Sequence, residues 1–198
     1  LGEIAKCFYL GRGALTLPAG VAYGFVRTRS ELETPDVQYH IAHASFRDPK
    51  KRIFDDFPGL TVGPCQLRPE SRGNIHVTSN DPMAAPRIAP NFLHEENDRR
   101  TLVDGIKVAR SLVTAGPLAQ IVEAEVTPGV AVATDEQILD YAASTGATVY
   151  HPVGTCKMGS DAQAVVDDQL RVHGIEGLRV VDASIMPRLV SGNTNAPT

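Results

Sequence analysis

Between Pro35 and Phe46 apolar and polar residues alternate, so that Val37, Tyr39, Ile41 and His43 share one face, whereas from Asn97 onward apolar residues recur every three or four positions. Period two followed by period 3.6, in separate blocks, constrains the fold more than any other property of the chain. Strands interleaved with helices build parallel βαβ units. Strands gathered ahead of helices build an α+β domain, an antiparallel sheet with flanking helices. The pattern predicts a strand over 35–46 after a proline start. Leu60–Leu67 and Asn74–Ser79 read as two extended runs joined by the turn-forming Arg68-Pro-Glu-Ser-Arg-Gly73, hence an antiparallel hairpin. The charged residues 47–57 read as a surface loop, and Asp81–Asn91, with three prolines, as irregular.

Asn97 reads as the cap of a helix from about Asp98 to Thr114, with Leu102, Ile106, Ala109 and Val113 on its apolar stripe and Gly116-Pro117 as its stop. Thr134 opens a second helix, with Gln137 at the capping-box position. Ile138, Leu139 and Ala142 form its buried face, and Gly146 suits a left-handed C-terminal position.

Composition excludes several functions. The net charge is −4, and the 19 basic residues are scattered among 23 acids, which disfavours nucleic acid as a partner. Cys7, Cys65 and Cys156 are odd in number and widely spaced, so they form neither a disulfide framework nor a zinc motif and read as reduced thiols of a cytoplasmic protein. No apolar run approaches the roughly 20 residues of a membrane span. The start lacks the pattern of a signal peptide and lacks a Met, and the chain reads as though cut from a longer one. His40 and His43, three apart on one strand, point to opposite faces, and His94-Glu95-Glu96-Asn97-Asp98 lacks the second His of a zinc motif, so no metal site is expected.

The tail carries the chemistry. Thr148–Gly159 reads TVYHPVGTCKMG, Leu178–Asp182 is a short apolar run ending in an acid, and Ser191–Pro197 reads SGNTNAP. The apolar run reads as a buried strand leading into a turn at Ala183-Ser184. His151 stands before Pro152, which disfavours a helical conformation and makes the ring a candidate proton acceptor. The amides around Thr194 donate and accept hydrogen bonds without adding charge. By themselves these features name no reaction: a lone loop histidine is more often structural, and an Asn-rich loop is more often a surface turn.

Together, however, HPVGTCKMG, LRVVDASIMP and SGNTNAP resemble, in order and spacing, the carboxy-terminal signature of the glucose–methanol–choline (GMC) oxidoreductases, which are FAD-dependent. Ser71-Arg-Gly73, Ser79-Asn-Asp-Pro82, Asn91-Phe-Leu93 and the Leu102–Arg110 helix resemble that family's substrate domain. The resemblance implies oxidation of a primary alcohol, choline-like, aliphatic or aromatic, to the aldehyde. It aligns His151 with the base that takes the hydroxyl proton while hydride passes to flavin N5, and Asn193 with the group that bonds the substrate oxygen. It places backbone at Asp182 and Ala183 near the FAD pyrophosphate and ribityl chain, and at Thr194 and Asn195 near the pyrimidine end of the isoalloxazine. It divides the chain into a substrate-binding part, 1–147, and a catalytic segment of the FAD domain, 148–198. Oxygen, a quinone or another carrier would take the electrons, and the whole enzyme could be membrane-associated.

The family's G-x-G-x-x-G half is absent: Gly11-Arg-Gly13-Ala-Leu-Thr16 matches two glycines only and reads as a loop. The resemblance therefore implies a fragment whose partner is the missing FAD-binding half. Such a fragment would hold FAD poorly, and its exposed strand edge near Val180 would favour a homodimer. The competing reading is a non-catalytic binding module on the same fold.

Overall fold

The alternating and helical blocks become separate elements in the computed structural model, which describes residues 2–13, 16–18, 20–48, 51 and 53–198. In chain order these are α1 (Gly2–Leu10), β1 (Ala22–Val26), β2 (Val37–Ala42), β3 (Phe46–Asp48), β4 (Ile53–Phe54), β5 (Thr61–Gln66), β6 (Asn74–His76), β7 (Arg87–Ala89), α2 (Glu96–Val113) and α3 (Asp135–Thr145). Short 3-10 turns lie at Leu118–Gln120 and Ala183–Ile185. The α+β class expected from the block order holds: the sheets are small and the strands precede the two long helices. No helix among the described residues is long and apolar enough to cross a membrane.

The chain forms two compact units, Leu1–Cys65 with Asp104–Ala124 and Gln66–Val103 with Glu125–Thr198. In the first, β1, β2 and β5 form a sheet in that order, with β1 and β2 antiparallel and Val26 opposite Val37. Val37, Tyr39 and Ala109 make its buried cluster, flanked by Val26, Ile41, Val62 and Val108. Gly105 lets α2 approach closely, because a Cβ there would come within 3.2 Å of Pro64 and 3.4 Å of Val37. The Tyr39 hydroxyl donates to the Gly105 carbonyl at 2.7 Å. Burial, and secondarily the charge of Asp36, push the Tyr39 phenol up to about 12, so it stays a neutral donor.

The charged 47–57 segment is not wholly loop. Phe46 pairs with Phe54 across β3 and β4, and their rings lie 4.9 Å apart. Pro49, Lys50 and Arg52 of that segment, and Ala14 and Leu15 of the Gly11–Thr16 stretch, lie outside the described residues. His40 sits edge-on to Tyr23, its cross-strand neighbour, at 5.3 Å, and His43 lies beyond the end of β2.

The expected hairpin of 60–67 with 74–79 does not form. β6 pairs instead with β7, in the stretch expected to be irregular, with Ile75 opposite Ile88. Asp98 holds the intervening turn. Its carboxylate, only 1 % exposed, accepts from the Glu70 and Ser71 backbone N–H groups and from Gln66 Nε2, each at 2.8 Å. Turn donors that could close a hairpin are thereby committed to α2. Pro86 and Pro90 flank β7 and keep it to three residues.

Helix α2 starts at Glu96 rather than after Asn97, whose amide donates to Glu70 Oε1 at 3.1 Å. Its buried positions are Asp98, Thr101, Val103, Gly105 and Ala109, whereas Leu102 and Ile106, expected on the apolar stripe, are half-buried. Helix α3 follows the sequence closely. Thr134 and Gln137 form both halves of the capping box, and Ile138 and Ala142 are buried. Gly146, expected to be left-handed, has φ −58°, and its N–H closes the last turn on Ala142. The Leu178–Asp182 run is no buried strand either. Among the described residues its ladder contact is one bridge, between Arg171 and Arg179, with Val172 N–H on Leu178 O and Val180 N–H on Leu170 O, and Val181 is 71 % exposed.

Burial alone would raise the Asp98 pKa, but the Glu70, Ser71 and Gln66 donors outweigh it and hold the carboxyl below its ordinary value. A folded-state pKa below the unfolded one gives stability that is complete above about pH 4 and is lost as pH falls through the folded value. Asp98→Ala should therefore cost about 2 kcal/mol at pH 7 in urea unfolding, since it leaves three partly buried hydrogen-bond donors without their acceptor. The gap between variant and wild type should shrink on acidification, and a pH-independent gap would contradict this account.

Candidate functional site

Residues 148–198 contain a single regular element, the 3-10 turn Ala183–Ile185, so their backbone hydrogen bonds are made turn by turn rather than in a ladder. Val166, fully buried, is the pivot. It bridges Met158 in the parallel sense and Val172 in the antiparallel sense. The Val165 N–H donates to Lys157 O at 2.9 Å, and Gly159 N–H donates to Val166 O at 3.0 Å. Lys157 spans Asp161 at 3.0 Å, and Arg171 closes on Asp167 at 2.7 Å. These pairs are exposed, so they shape loops more than they stabilise them.

The histidine motif is laced onto the turn that follows the apolar run. Cys156 N–H donates to Ser184 O at 3.0 Å, and Met158 N–H to Ile185 O at 2.8 Å. Asp182 caps the turn by accepting from Ser184 N–H at 2.8 Å. The Ser184 hydroxyl and N–H hold the Asp182 carboxylate below its usual range. Gly154, within the histidine motif, has φ 91°, and a Cβ there would lie 3.4 Å from Met186 O.

His151 is half-buried, and its Nδ1 lies 3.0 Å from Thr194 Oγ1, a contact that spans 43 residues of sequence. Thr194 is buried, and its carbonyl accepts from both the N–H (3.1 Å) and the hydroxyl (2.6 Å) of Thr198. Asn193, next to it, is exposed, as is Asn195. Among the described residues, His151 Nε2 and the Asn193 amide take no hydrogen-bond partner. The same holds for the backbone N–H groups of Asp182, Ala183, Asn193, Thr194 and Asn195.

Backbone strain marks both loops. Tyr150, immediately before His151, has φ 62°, and Ser191, two residues before Asn193, has φ 58°. A bulky side chain rarely adopts this conformation, and Tyr150 gets no compensating burial, being 81 % exposed.

Of the residues expected from the sequence, the fold brings His151 to Thr194, seats Asn193 one residue from that contact, and sets Asp182 and Ala183 in the turn that receives the histidine motif. The Thr194 side chain, as opposed to its backbone, and the Thr198 clamp were not anticipated. Nothing in local spacing signals the first, while two threonines four apart hint at the second.

The arrangement can be set beside known proteins. A family model described as GMC oxidoreductase matches residues 69–198. An alcohol dehydrogenase [acceptor] of Pseudomonas putida is 43% identical over 94% of this chain and 34% of its own length. An oxygen-dependent choline dehydrogenase of Cronobacter sakazakii is 41% identical over 88% of this chain and 31% of its own. The crystal structure of pyridoxine 4-oxidase from Mesorbium loti superposes with a TM-score of 0.80 at 27% identity, over 90% of this chain and 35% of that one. The chain thus spans about a third of the length of the curated relatives it matches.

Gly154→Ala should lower stability by about 1–2 kcal/mol in thermal unfolding, the cost of a left-handed residue that carries a Cβ. Full stability of this variant would show that the backbone there can relax.

Proposed function

The chain belongs to the GMC oxidoreductase family, and from that premise we propose that it is the carboxy-terminal portion of an FAD-dependent enzyme that oxidises a primary alcohol to the aldehyde. One observation carries the reading. A half-buried imidazole is held by one nitrogen while its other nitrogen, and the neighbouring Asn193 amide, are left uncommitted. His151 Nε2 takes the hydroxyl proton as general base. The Asn193 amide donates to the substrate oxygen and stabilises the charge that develops there.

The residues suit a flavin. Neutral, uncommitted N–H groups at Thr194 and Asn195 match a carbonyl-bearing ring edge, and those at Asp182 and Ala183 match a phosphate or ribityl oxygen. FAD, when bound, supplies the acceptor for the hydride. Residues 1–147 serve as the substrate-binding part and 148–198 as the catalytic segment. The sequence holds no G-x-G-x-x-G, so these 198 residues alone are expected to hold FAD weakly. Stoichiometric, tight FAD on this chain by itself would contradict that expectation.

The two relatives named above are an acceptor-dependent and an oxygen-dependent dehydrogenase, so the electron acceptor is tested directly. The full-length protein is assayed on a panel of choline, aliphatic and aromatic primary alcohols, with oxygen and with an artificial acceptor. His151→Ala should lower turnover of the best substrate by roughly 10² or more. Undiminished turnover would remove the general-base assignment, whereas no turnover of any alcohol by the full-length protein would favour a non-catalytic module.

A further inference from the structure

We propose that the Thr194 side chain is a positioning residue. Its hydroxyl accepts the Nδ1 proton of His151, which fixes the neutral ring in the tautomer whose Nε2 lone pair is free to act as base. The inference rests on the functional reading above and deepens it.

A neutral imidazole carries one proton, and the nitrogen that holds it is set by the partner of the other. Here Nδ1 has a partner at 3.0 Å and Nε2 has none among the described residues. A proton on Nε2 would leave the ring without a basic nitrogen on its uncommitted side. After a proton is taken up, both ring nitrogens carry hydrogen, and Nδ1–H must then meet an acceptor. Thr194 Oγ1 is such an acceptor both before and after the transfer, so the ring does not turn during the step.

Thr194 is equipped to hold still. It is 6 % exposed, so its hydroxyl does not exchange freely with water. Its carbonyl is gripped twice by Thr198. On the other side of the contact, the His151 main chain is confined by the left-handed Tyr150 before it and Pro152 after it. Both ends of the hydrogen bond are thus anchored by their own backbone, and the ring is aligned without a carboxylate. A neutral partner holds the ring without adding a charge that would favour the imidazolium.

The test has two independent readouts. Long-range 1H–15N correlation spectra of the histidine rings are recorded at pH 9, where an ordinary imidazole is neutral. The His151 signal is identified by its loss in His151→Gln. It should show the proton on Nδ1. Thr194→Val, close in shape but without the hydroxyl, should move the proton toward Nε2, and Thr194→Ser should restore it. Unaltered signals from the other histidines show that the variants are folded. In the full-length FAD-loaded enzyme, Thr194→Val should lower kcat about tenfold with little change in KM, and Thr194→Ser should recover most of it. A wild-type proton on Nε2, or a tautomer indifferent to Thr194→Val, overturns the proposal. If the tautomer follows Thr194 while His151→Ala leaves turnover intact, the positioning stands and the general-base reading falls.

Discussion

The hydrogen bond between His151 and Thr194 has to be made across 43 residues by a stretch of chain with almost no regular structure. In a sheet, register would place two such side chains automatically. Here placement is assembled from separate contacts: the buried Val166 at the centre, the Cys156 and Met158 N–H groups on the 184–185 carbonyls, and the Thr198 grip on Thr194. Each of these hydrogen bonds is worth only about 1 kcal/mol net. Their value lies in number and direction, since together they allow the imidazole one neighbour and keep it there.

Asp98 plays a comparable part elsewhere. A carboxylate at 1 % exposure is tolerable only because three donors converge on it. In accepting them it ties the 68–73 turn to α2, while β6 pairs with β7. The second unit therefore holds that turn by a buried charge rather than by an apolar pattern. Uneven core chemistry of this kind makes Asp98 sensitive to acid in a way that the Val37–Tyr39 cluster is not.

That contrast explains what could be read from the amino-acid order. Alternation around Tyr39 and the Thr134–Gln137 capping box are local signals, and both strand and helix formed where they pointed. The face of α2 misleads, because Asp98, Thr101 and Gly105, residues that an apolar template scores as surface, are buried beside Val103 and Ala109. The hairpin reading failed for the same reason: the decisive partner of the turn lies 27 and 28 residues downstream and is charged. The Leu178–Asp182 run looked buried by composition, yet burial needs a neighbour, and among the described residues it has one bridge. At the candidate site, His151, Asn193, Asp182 and the 194–195 backbone were legible only through likeness to a family, because turns laced by main-chain groups leave no periodicity to detect. The Thr194 hydroxyl left no trace at all.

Tyr150 gives the fold a local tension. An exposed aromatic ring on a left-handed backbone gains little from packing and pays conformational strain, so glycine or asparagine would sit there more comfortably. Replacing Tyr150 by either residue would relieve that strain and loosen the main chain next to His151. A large residue at 150 thus gives up some stability for a stiffer backbone beside the ring of His151.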